Sequence, residues 1–330
     1  TAIKQSKTSK LWAVCGRNET RVKSFAEKHQ IKAFVDLDKF LNSDLDAVYI
    51  ATPHDTHFLY SMACIRKNIH VLCEKPLTIN ASESMILINA AIKKRVFLME
   101  AFMYRCHPQT FKILELVEKY FIGKKVRIKS SFGFTTDVSK EHRLRNPNLA
   151  GGAILDVGCY PLSMARLISG KLNGMDFSDP IGISIEGELD ETGVDAKSTA
   201  ILDFTDEISA EIKTAIHEEY ENNLIIESDD LCLEVSDPWH CGQFNEGKSV
   251  IKFTNEGAEE KIEINDEVGL FTREIDEAAN CIEQGRIESP KMTHRDSLGN
   301  MLWLEKWYTQ LGVNFPNNEI KNSQIKTHDF

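Results

Sequence analysis

The chain has 330 residues, of which 27% are charged and 42% are hydrophobic, and its formal net charge is -11. This composition is typical of a globular protein with one large or two medium domains. The acidic balance argues against a nucleic-acid partner, because phosphate binding needs clustered Lys and Arg, and against an anionic membrane face. The sequence contains no apolar run long enough to span a bilayer, so we expect no membrane partner.

The eight cysteines form neither a C-x-x-C pair nor a cluster with zinc-ligand spacing. Several of them lie in apolar stretches, where a free thiol behaves as a small hydrophobic side chain. We therefore expect reduced thiols, a cytoplasmic location and no metal.

The first hundred residues alternate short apolar strands with amphipathic helices. The strand-like segments, in chain order, are KLWAVCGR, AFVD, DLDAVYIATP, IHVLCEK and VFLMEAF. Strands that are apolar throughout and separated by helices are typical of a parallel sheet covered on both faces. The pattern predicts an α/β domain with a Rossmann-type, doubly wound parallel sheet over residues 1–105.

The phosphate-binding motif of such a sheet is G-x-G-x-x-G, directly after the first strand, and this sequence does not contain it. The opening TAIKQSKTSK resembles the tail of the first helix, which makes KLWAVCGR the second strand. We expect the first strand, its glycine-rich turn and part of a helix, roughly 15–25 residues, to be missing from the given chain. The alternative is a protein that lacks this unit and binds dinucleotides poorly or not at all.

After about residue 121 polar and apolar residues alternate along longer segments, which predicts a large, open, mainly antiparallel sheet. These segments are KKVRIKSSFGFTT, IGISIEGELD, AKSTAILDFTD, ISAEIKTAIHEEY, NNLIIESDDLCLEVSD, KSVIKFTN and KIEIND. One helix, GGAILDVGCYPLSMARLIS, interrupts them, and two helices follow them at the end. Residues 106–330 are therefore predicted to form an α+β domain whose last helix packs back on the first domain.

Three motifs occur in order along the chain: AVYIATPHDTHFLYSMACIRKNIHVLCEKPLTINASES, VFLMEAFMYRCHPQ and LAGGAILDVGCYPL. Together they resemble the Gfo/Idh/MocA oxidoreductases over most of the chain, and within that family the NADP-dependent D-xylose dehydrogenase and dimeric dihydrodiol dehydrogenase branch. The later strands match in pattern alone. The resemblance implies hydride transfer between nicotinamide and a carbinol carbon of an aldose or cyclic diol, and a homodimer formed by the open sheet.

Lys75 ends an apolar strand, at the sheet edge where open α/β folds bind ligands. A bare charge there is costly unless it is used. The resemblance places the lysine of the E-K-P motif beside the nicotinamide and the reacting hydroxyl. We expect Glu74 to hold Lys75 by charge pairing and regard Lys75-Pro76 as a candidate cis peptide bond. The alternative is a surface salt bridge at a strand end.

Asp156 and Tyr160 are four residues apart in a helical segment and therefore share a face. Many members of the family have a histidine where this chain has Tyr160. A phenol has a pKa near 10, too high for a good base at neutral pH, and a cation such as Lys75 would lower it. Tyr160 is the predicted proton-transfer residue, and Asp156 is predicted to bind or orient the substrate. The alternative is a core tyrosine and a carboxylate at a helix start.

Gly16, Arg17 and Asn18 follow the second strand, where an acidic residue normally binds the ribose 2′-hydroxyl of NAD. No acidic residue occupies that tip. A glycine followed by Arg17, with Arg21 four residues on, leaves room and positive charge for the 2′-phosphate of NADP. Glu19 is close in sequence and keeps NAD as an alternative cofactor.

The remaining candidates come from the resemblance. The A-T-P-x-x-x-H segment lines the cofactor cleft in the family, although a packing histidine at the helix start is the favoured interpretation of its last residue. The cofactor candidates from the resemblance are Ala51, Thr52, Pro53, His57, the strand-end Glu100, and both Glu74 and Lys75 of the E-K-P motif. Tyr104 and Arg105 are predicted to touch cofactor or substrate.

A loop with Arg143 and Arg145 precedes the Asp156 helix, and it either closes over a sugar or is simply hydrated. Two other functions stay open. One is a non-catalytic dinucleotide-binding sensor or interaction protein, which a true lack of the glycine-rich turn would favour. The other is an NAD-assisted glycosidase of the same fold.

Overall fold

The computed structural model describes residues 2–316, so the end of the predicted second domain, 317–330, lies outside the described residues. The first region contains β1 (Ala13–Cys15), β2 (Lys32–Phe34), β3 (Ala47–Ile50), β4 (His70–Glu74) and β5 (Leu98–Ala101). The helices between and before them are α1 (Ala2–Gln5), α2 (Glu19–His29), α3 (Leu37–Leu41), α4 (His57–Arg66) and α5 (Ala81–Lys94). Helices α2, α3 and α5 each begin after a capping side chain, those of Asn18, Asp36 and Asn80. The side-chain oxygen of each capping residue accepts the backbone N–H of the residue three positions later.

The parallel strands form two pieces, β1–β2 and β3–β4–β5, and the predicted Rossmann-like sheet is confirmed. In the doubly wound order 3-2-1-4-5-6 these strands take the places of strands 2 to 6. The place of strand 1 then falls between β1 and β3. Within residues 2–316 no strand pairs with the second edge of either β1 or β3.

The second region is an eight-stranded sheet in the order β13-β12-β11-β10-β6-β9-β8-β7. Neighbouring strands are antiparallel except β6 and β9, which confirms the mainly antiparallel prediction. The segment NNLIIESDDLCLEVSD forms two strands, because the polar residues 228–230 turn the chain. The strands are β6 (Val126–Gly133), β7 (Gly182–Leu189), β8 (Asp195–Asp203), β9 (Ile208–Ala215), β10 (Leu224–Glu227), β11 (Leu231–Val235), β12 (Lys248–Asn255) and β13 (Ala258–Asn265).

Four longer helices accompany this sheet: α6 (Pro108–Tyr120), α7 (Cys159–Leu172), α8 (Leu270–Glu283) and α9 (His294–Gln310). Helix α7 packs on β6 and β9, and α9 contacts both α7 and α5. In α9 the Tyr308 hydroxyl donates to the carbonyl of Ile79 at 3.0 Å, and the indole of Trp307 donates to Ser198 Oγ at 2.8 Å. The last helix therefore touches both regions.

Among the described helices, none is long and apolar enough to cross a membrane. All eight cysteines are free thiols, and six of them are buried. Those six pack as small hydrophobic side chains, as expected from the apolar stretches that contain them.

Candidate active site

Three segments that are far apart in sequence meet at the carboxyl ends of β3 and β4. His54 follows β3, Lys75 follows β4, and Asp156 lies in a π-helical turn, Ile154–Gly158, that leads directly into α7. The Lys75–Pro76 peptide bond is cis. Because carboxyl ends of parallel strands share one edge of the sheet, the fold brings these side chains into contact.

Lys75 is the centre of this site. Its Nζ lies 3.6 Å from Asp156 Oδ1 and also donates a hydrogen bond to the backbone carbonyl of Asp156. The same atom lies 5.1 Å from the centre of the Tyr160 ring. Burial disfavours the ammonium, but the carboxylate of Asp156 and weaker neighbouring charges outweigh burial, so the pKa of Lys75 is raised above its ordinary value. Lys75 is therefore a cation at neutral pH.

Asp156 is 5% exposed and collects three partners on one carboxylate oxygen. Arg143 Nη1 donates to Oδ1 at 2.7 Å. His54 Nε2 lies 3.7 Å from this oxygen, which is also the one that faces Lys75. Burial alone would raise the pKa of Asp156, but Lys75, followed by Arg143, lowers it to about 2. A carboxylate that stays ionised near neutral pH orients cations and does not exchange protons there.

Tyr160 is 5% exposed, and its hydroxyl donates to the sulfur of Met103 at 3.3 Å. The expectation that Lys75 lowers the pKa of Tyr160 was wrong. Burial, helped by Cys159 and Glu74, raises the pKa well above its ordinary value. The residue is thus a neutral phenol. The rings that bury it, at centroid distances from 5.2 to 6.0 Å, belong to Phe132, Phe102, Tyr104 and Trp239.

His54 was missed by sequence reasoning, which singled out His57 in the same motif. His54 is the histidine beside Asp156, and its Nδ1 lies 3.0 Å from the carbonyl of Ala150. Burial lowers the pKa of His54 to about 3, so its ring is neutral near pH 7. The available signal was its place directly after Pro53, at a strand end. Arg143 was noted on its loop, but sequence gave no reason to pair it with Asp156.

A sequence model of the oxidoreductase family with an NAD-binding Rossmann fold matches residues 1–102, and a GFO/IDH/MocA C-terminal domain matches residues 111–235. The chain belongs to the GFO/IDH/MocA oxidoreductase family. This confirms the resemblance drawn from the motifs, and with it a dinucleotide-binding oxidoreductase. The predicted domain boundary at residues 105/106 stays a prediction.

Two relatives align with nearly the whole chain, and one solved structure shares its fold. Trans-1,2-dihydrobenzene-1,2-diol dehydrogenase of Xenopus laevis is 30% identical and aligns over 92% of this chain and 90% of its own. D-xylose 1-dehydrogenase (NADP(+)) 2 of Haloferax volcanii is 28% identical and aligns over 90% of this chain and 88% of its own. The aldose-aldose oxidoreductase of Caulobacter crescentus, solved with glycerol, has a TM-score of 0.81 at 22% identity and covers 94% of this chain and 92% of its own. That structure shows a shared fold.

Two of the residues predicted to bind the cofactor contact the backbone of the turn after β4. His57 is fully buried, and its ring nitrogens lie 2.8 Å from the carbonyls of Pro76 and Thr52. Glu100 is buried and accepts the backbone N–H of Leu77 at 2.8 Å. Burial raises the pKa of Glu100 to about 7. Both side chains link neighbouring strand ends, as expected of a packing histidine at position 57, and direct contact of either side chain with a cofactor stays a prediction.

Glu74 does not pair with Lys75 as expected. Its carboxylate accepts a hydrogen bond from the hydroxyl of Tyr49, while Asp156 is the ion-pair partner of Lys75 within the described residues. The sequence could not choose between these two carboxylates, because Asp156 comes from a distant segment.

Tyr104 and Arg105 lie in the interior behind the site, and their contact with cofactor or substrate stays a prediction. Tyr104 is fully buried. Arg105 is 3% exposed; its Nη2 lies 2.6 Å from Asp296 Oδ2 and also donates to Ser163. An arginine at a strand end is a candidate ligand-binding residue when only the sequence is known. Here the carboxylate of Asp296 on α9 pairs with Arg105 in the interior.

The residues predicted to bind the far end of the cofactor lie at the carboxyl end of β1. Gly16 is half-buried, Arg17 and Arg21 are exposed, and the Asn18 side chain caps α2. Glu19 pairs with Lys23 at 2.7 Å, and not with either arginine. Two exposed guanidinium groups beside a helix N-terminus fit an anionic phosphate group. Directly after β3, Ala51 is exposed and both Thr52 and Pro53 are half-buried.

Proposed function

We propose that the chain is an NADP-dependent dehydrogenase that transfers a hydride between nicotinamide and a carbinol carbon of an aldose or cyclic diol. The observation that carries this proposal is the meeting of Lys75, Asp156 and Tyr160 at the carboxyl ends of parallel strands. The names of the two relatives, a diol dehydrogenase and a D-xylose 1-dehydrogenase, support the choice of substrate class.

The choice of NADP is supported by the end of β1. Arg17 and Arg21 offer two guanidinium groups to a 2′-phosphate, and Glu19 is engaged with Lys23. Arginine is well suited to phosphate, because its planar donors form paired, charge-assisted hydrogen bonds. The NADP(+) in the name of the Haloferax relative agrees with this choice.

The chemistry at the site divides between cofactor and protein. NADP, when bound, supplies the group that gives or takes the hydride. Lys75 holds a positive charge that stabilises negative charge developing on the substrate oxygen. The carboxylate of Asp156 pairs with Lys75 and fixes its position, and Arg143 holds that carboxylate in place.

Tyr160 holds a proton at its phenol oxygen. In the structure that hydroxyl donates to a thioether sulfur, which is a weak acceptor. A substrate oxygen would be a stronger acceptor for this hydroxyl than the sulfur. The aromatic rings around Tyr160 exclude water from the proton-transfer step.

The proposed function is tested by following NADPH absorbance with a panel of aldoses and cyclic diols, in both reaction directions and with NAD in parallel. We expect turnover of at least one sugar or diol, faster with NADP than with NAD. Retained NADP binding without any turnover would contradict the proposal and favour a sensor. Cleavage of a glycoside in place of net oxidation would favour the glycosidase.

Cofactor preference is expected to depend on the two arginines at α2. In the variant Arg17→Gln with Arg21→Gln, KM for NADP rises by about 10–100-fold, because the two exposed, solvent-screened contacts to phosphate together contribute about 1.5–3 kcal/mol. KM for NAD stays nearly unchanged. Lys28→Gln, which removes a charge from the exposed end of the same helix, is the matched control. Equal losses with both cofactors would show that the arginines do not read the 2′-phosphate.

We also infer a homodimer formed through the outer face of the eight-stranded sheet. Outward residues of β8 and β12 alternate with buried ones, and Ile201 and Val250 remain 47% and 36% exposed. Apolar residues on an uncovered sheet favour association. Light scattering that gives the monomer mass at micromolar concentration would contradict the dimer.

The six buried free thiols support a reducing, cytoplasmic location, which cell fractionation tests.

A further inference from the structure

The segment that carries Asp156 and Tyr160 starts without a capping side chain of its own. The π-helical turn follows Ala153, and neither this start nor the start of α7 has a side-chain cap. The first backbone N–H groups of a helical segment need acceptors from elsewhere. Here the acceptor comes from a distant strand: Asp195, the first residue of β8, accepts the N–H of Ile154 at 2.6 Å through Oδ2.

The chain around Asp195 is shaped for this contact. Asp195 is fully buried. Gly152 has a φ of +110°, and a Cβ there would lie 2.1 Å from Asp195 Oδ1, so a side chain at this position would displace the carboxylate. From β9, the Thr214 hydroxyl donates to the carbonyl of Ala153 at 3.0 Å. Two strands of the large sheet therefore hold the turn, one by a carboxylate and one by a hydroxyl.

We propose that Asp195 is a positioning residue for the reaction, because its carboxylate holds the turn that places Asp156 against Lys75. The inference rests on the proposed function. Asp195 acts through the backbone: Ile154 lies two residues before Asp156, whose carboxylate meets Lys75 and Arg143. A movement of the turn therefore moves the carboxylate that orients the catalytic lysine, and small displacements of such groups cost rate steeply.

The charge of Asp195 changes near neutral pH. Burial, with a smaller contribution from Asp156, raises the pKa of Asp195 to about 7, against the opposing effect of the surrounding backbone N–H groups. Lys197, two residues further along β8, pairs with Glu188 on β7 at 3.3 Å and with Glu218, which follows β9, at 3.2 Å. An ionised carboxylate accepts a stronger hydrogen bond than a protonated one, so the hold on Ile154 strengthens as the pH rises through about 7.

The test compares Asp195→Asn with the parent chain. The amide keeps the size and one acceptor oxygen but removes the charge. We expect kcat to fall about tenfold at about pH 8, with KM for NADP unchanged and the rise of kcat near neutral pH lost. Backbone amide exchange over residues 153–158, measured without substrate, becomes faster in the variant. Asp203→Asn, at the exposed far end of β8, is the matched control and keeps the parent behaviour.

Thr214→Val separates charge from anchoring, because it removes the uncharged anchor of the same turn. It is expected to lower kcat several-fold while keeping the pH dependence of the parent. A lower melting temperature for Asp195→Asn with the parent kcat and pH profile would overturn the positioning role. Unchanged amide exchange over the turn would overturn it as well, and that readout does not depend on whether the parent oxidises aldoses or diols.

Discussion

Replacing Lys75 with methionine is expected to lower kcat by about 10³-fold, because the variant loses the charge that stabilises the substrate oxygen. Methionine preserves most of the length of the side chain and packs without a charge. The fold should survive, since Asp156 keeps Arg143 at 2.7 Å and is not left as an unpaired buried carboxylate. Steady-state rates with the best aldose or diol, together with a melting curve, measure both effects.

Lys112→Met is the matched control for this change. Lys112 lies on α6, which carries none of the site residues, and pairs with Glu115 at 2.8 Å. Its replacement makes the same lysine-to-methionine change outside the site. Its kcat should equal that of the parent. A Lys75→Met variant that retains more than about a hundredth of the parent kcat would show that the ammonium is not required, since loss of an electrostatic stabiliser costs at least about 100-fold.

Tyr160→Phe is expected to lower kcat by about 100-fold or more, because it removes the proton that the site can give to the substrate oxygen. Stability should change little. Phenylalanine keeps the ring contacts with Phe132 and Trp239, and the lost hydrogen bond to the Met103 sulfur is weak. The measurement is kcat with the same substrate, compared with the melting temperature of the variant.

Tyr104→Phe provides a close control, because the two tyrosine rings lie only 5.9 Å apart and both are buried. We place Tyr104 behind the site and expect its variant to keep kcat within about threefold, as is usual for a residue that does not touch the reacting atoms. Equal losses in the two variants would mean that burial of hydroxyl groups, and not proton transfer by Tyr160, sets the rate.

The sequence was informative where chemistry follows from local pattern. Lys75 could be placed at a ligand-binding edge because it ends an apolar strand of a parallel sheet. Asp156 and Tyr160 could be placed in one helical segment from their spacing. The segment proved to be a π-helical turn followed by α7, but both residues still meet Lys75.

The environment of these residues could not be predicted, because it depends on contacts between distant segments. The raised pKa of Tyr160 comes mainly from burial by rings such as Phe132 and Trp239, which lie on different elements from it. Arg105 looked like a ligand residue until its partner on α9, Asp296, was seen in the interior. His54 and His57 carry the same chemistry in the motif, and the fold alone decides which one faces Asp156.

Lys75 and Tyr160 are expected to act on one reacting oxygen, and a double-mutant comparison of hydride transfer tests this most directly. Single-turnover rates are measured in the parent, Lys75→Met, Tyr160→Phe and the double variant. If both groups serve the same reaction centre, the double variant should be only a few-fold slower than the slower single variant. The first substitution already removes most of the rate acceleration that the two groups provide together. Losses that multiply to the full product of the single effects would show that the ammonium and the phenol act independently.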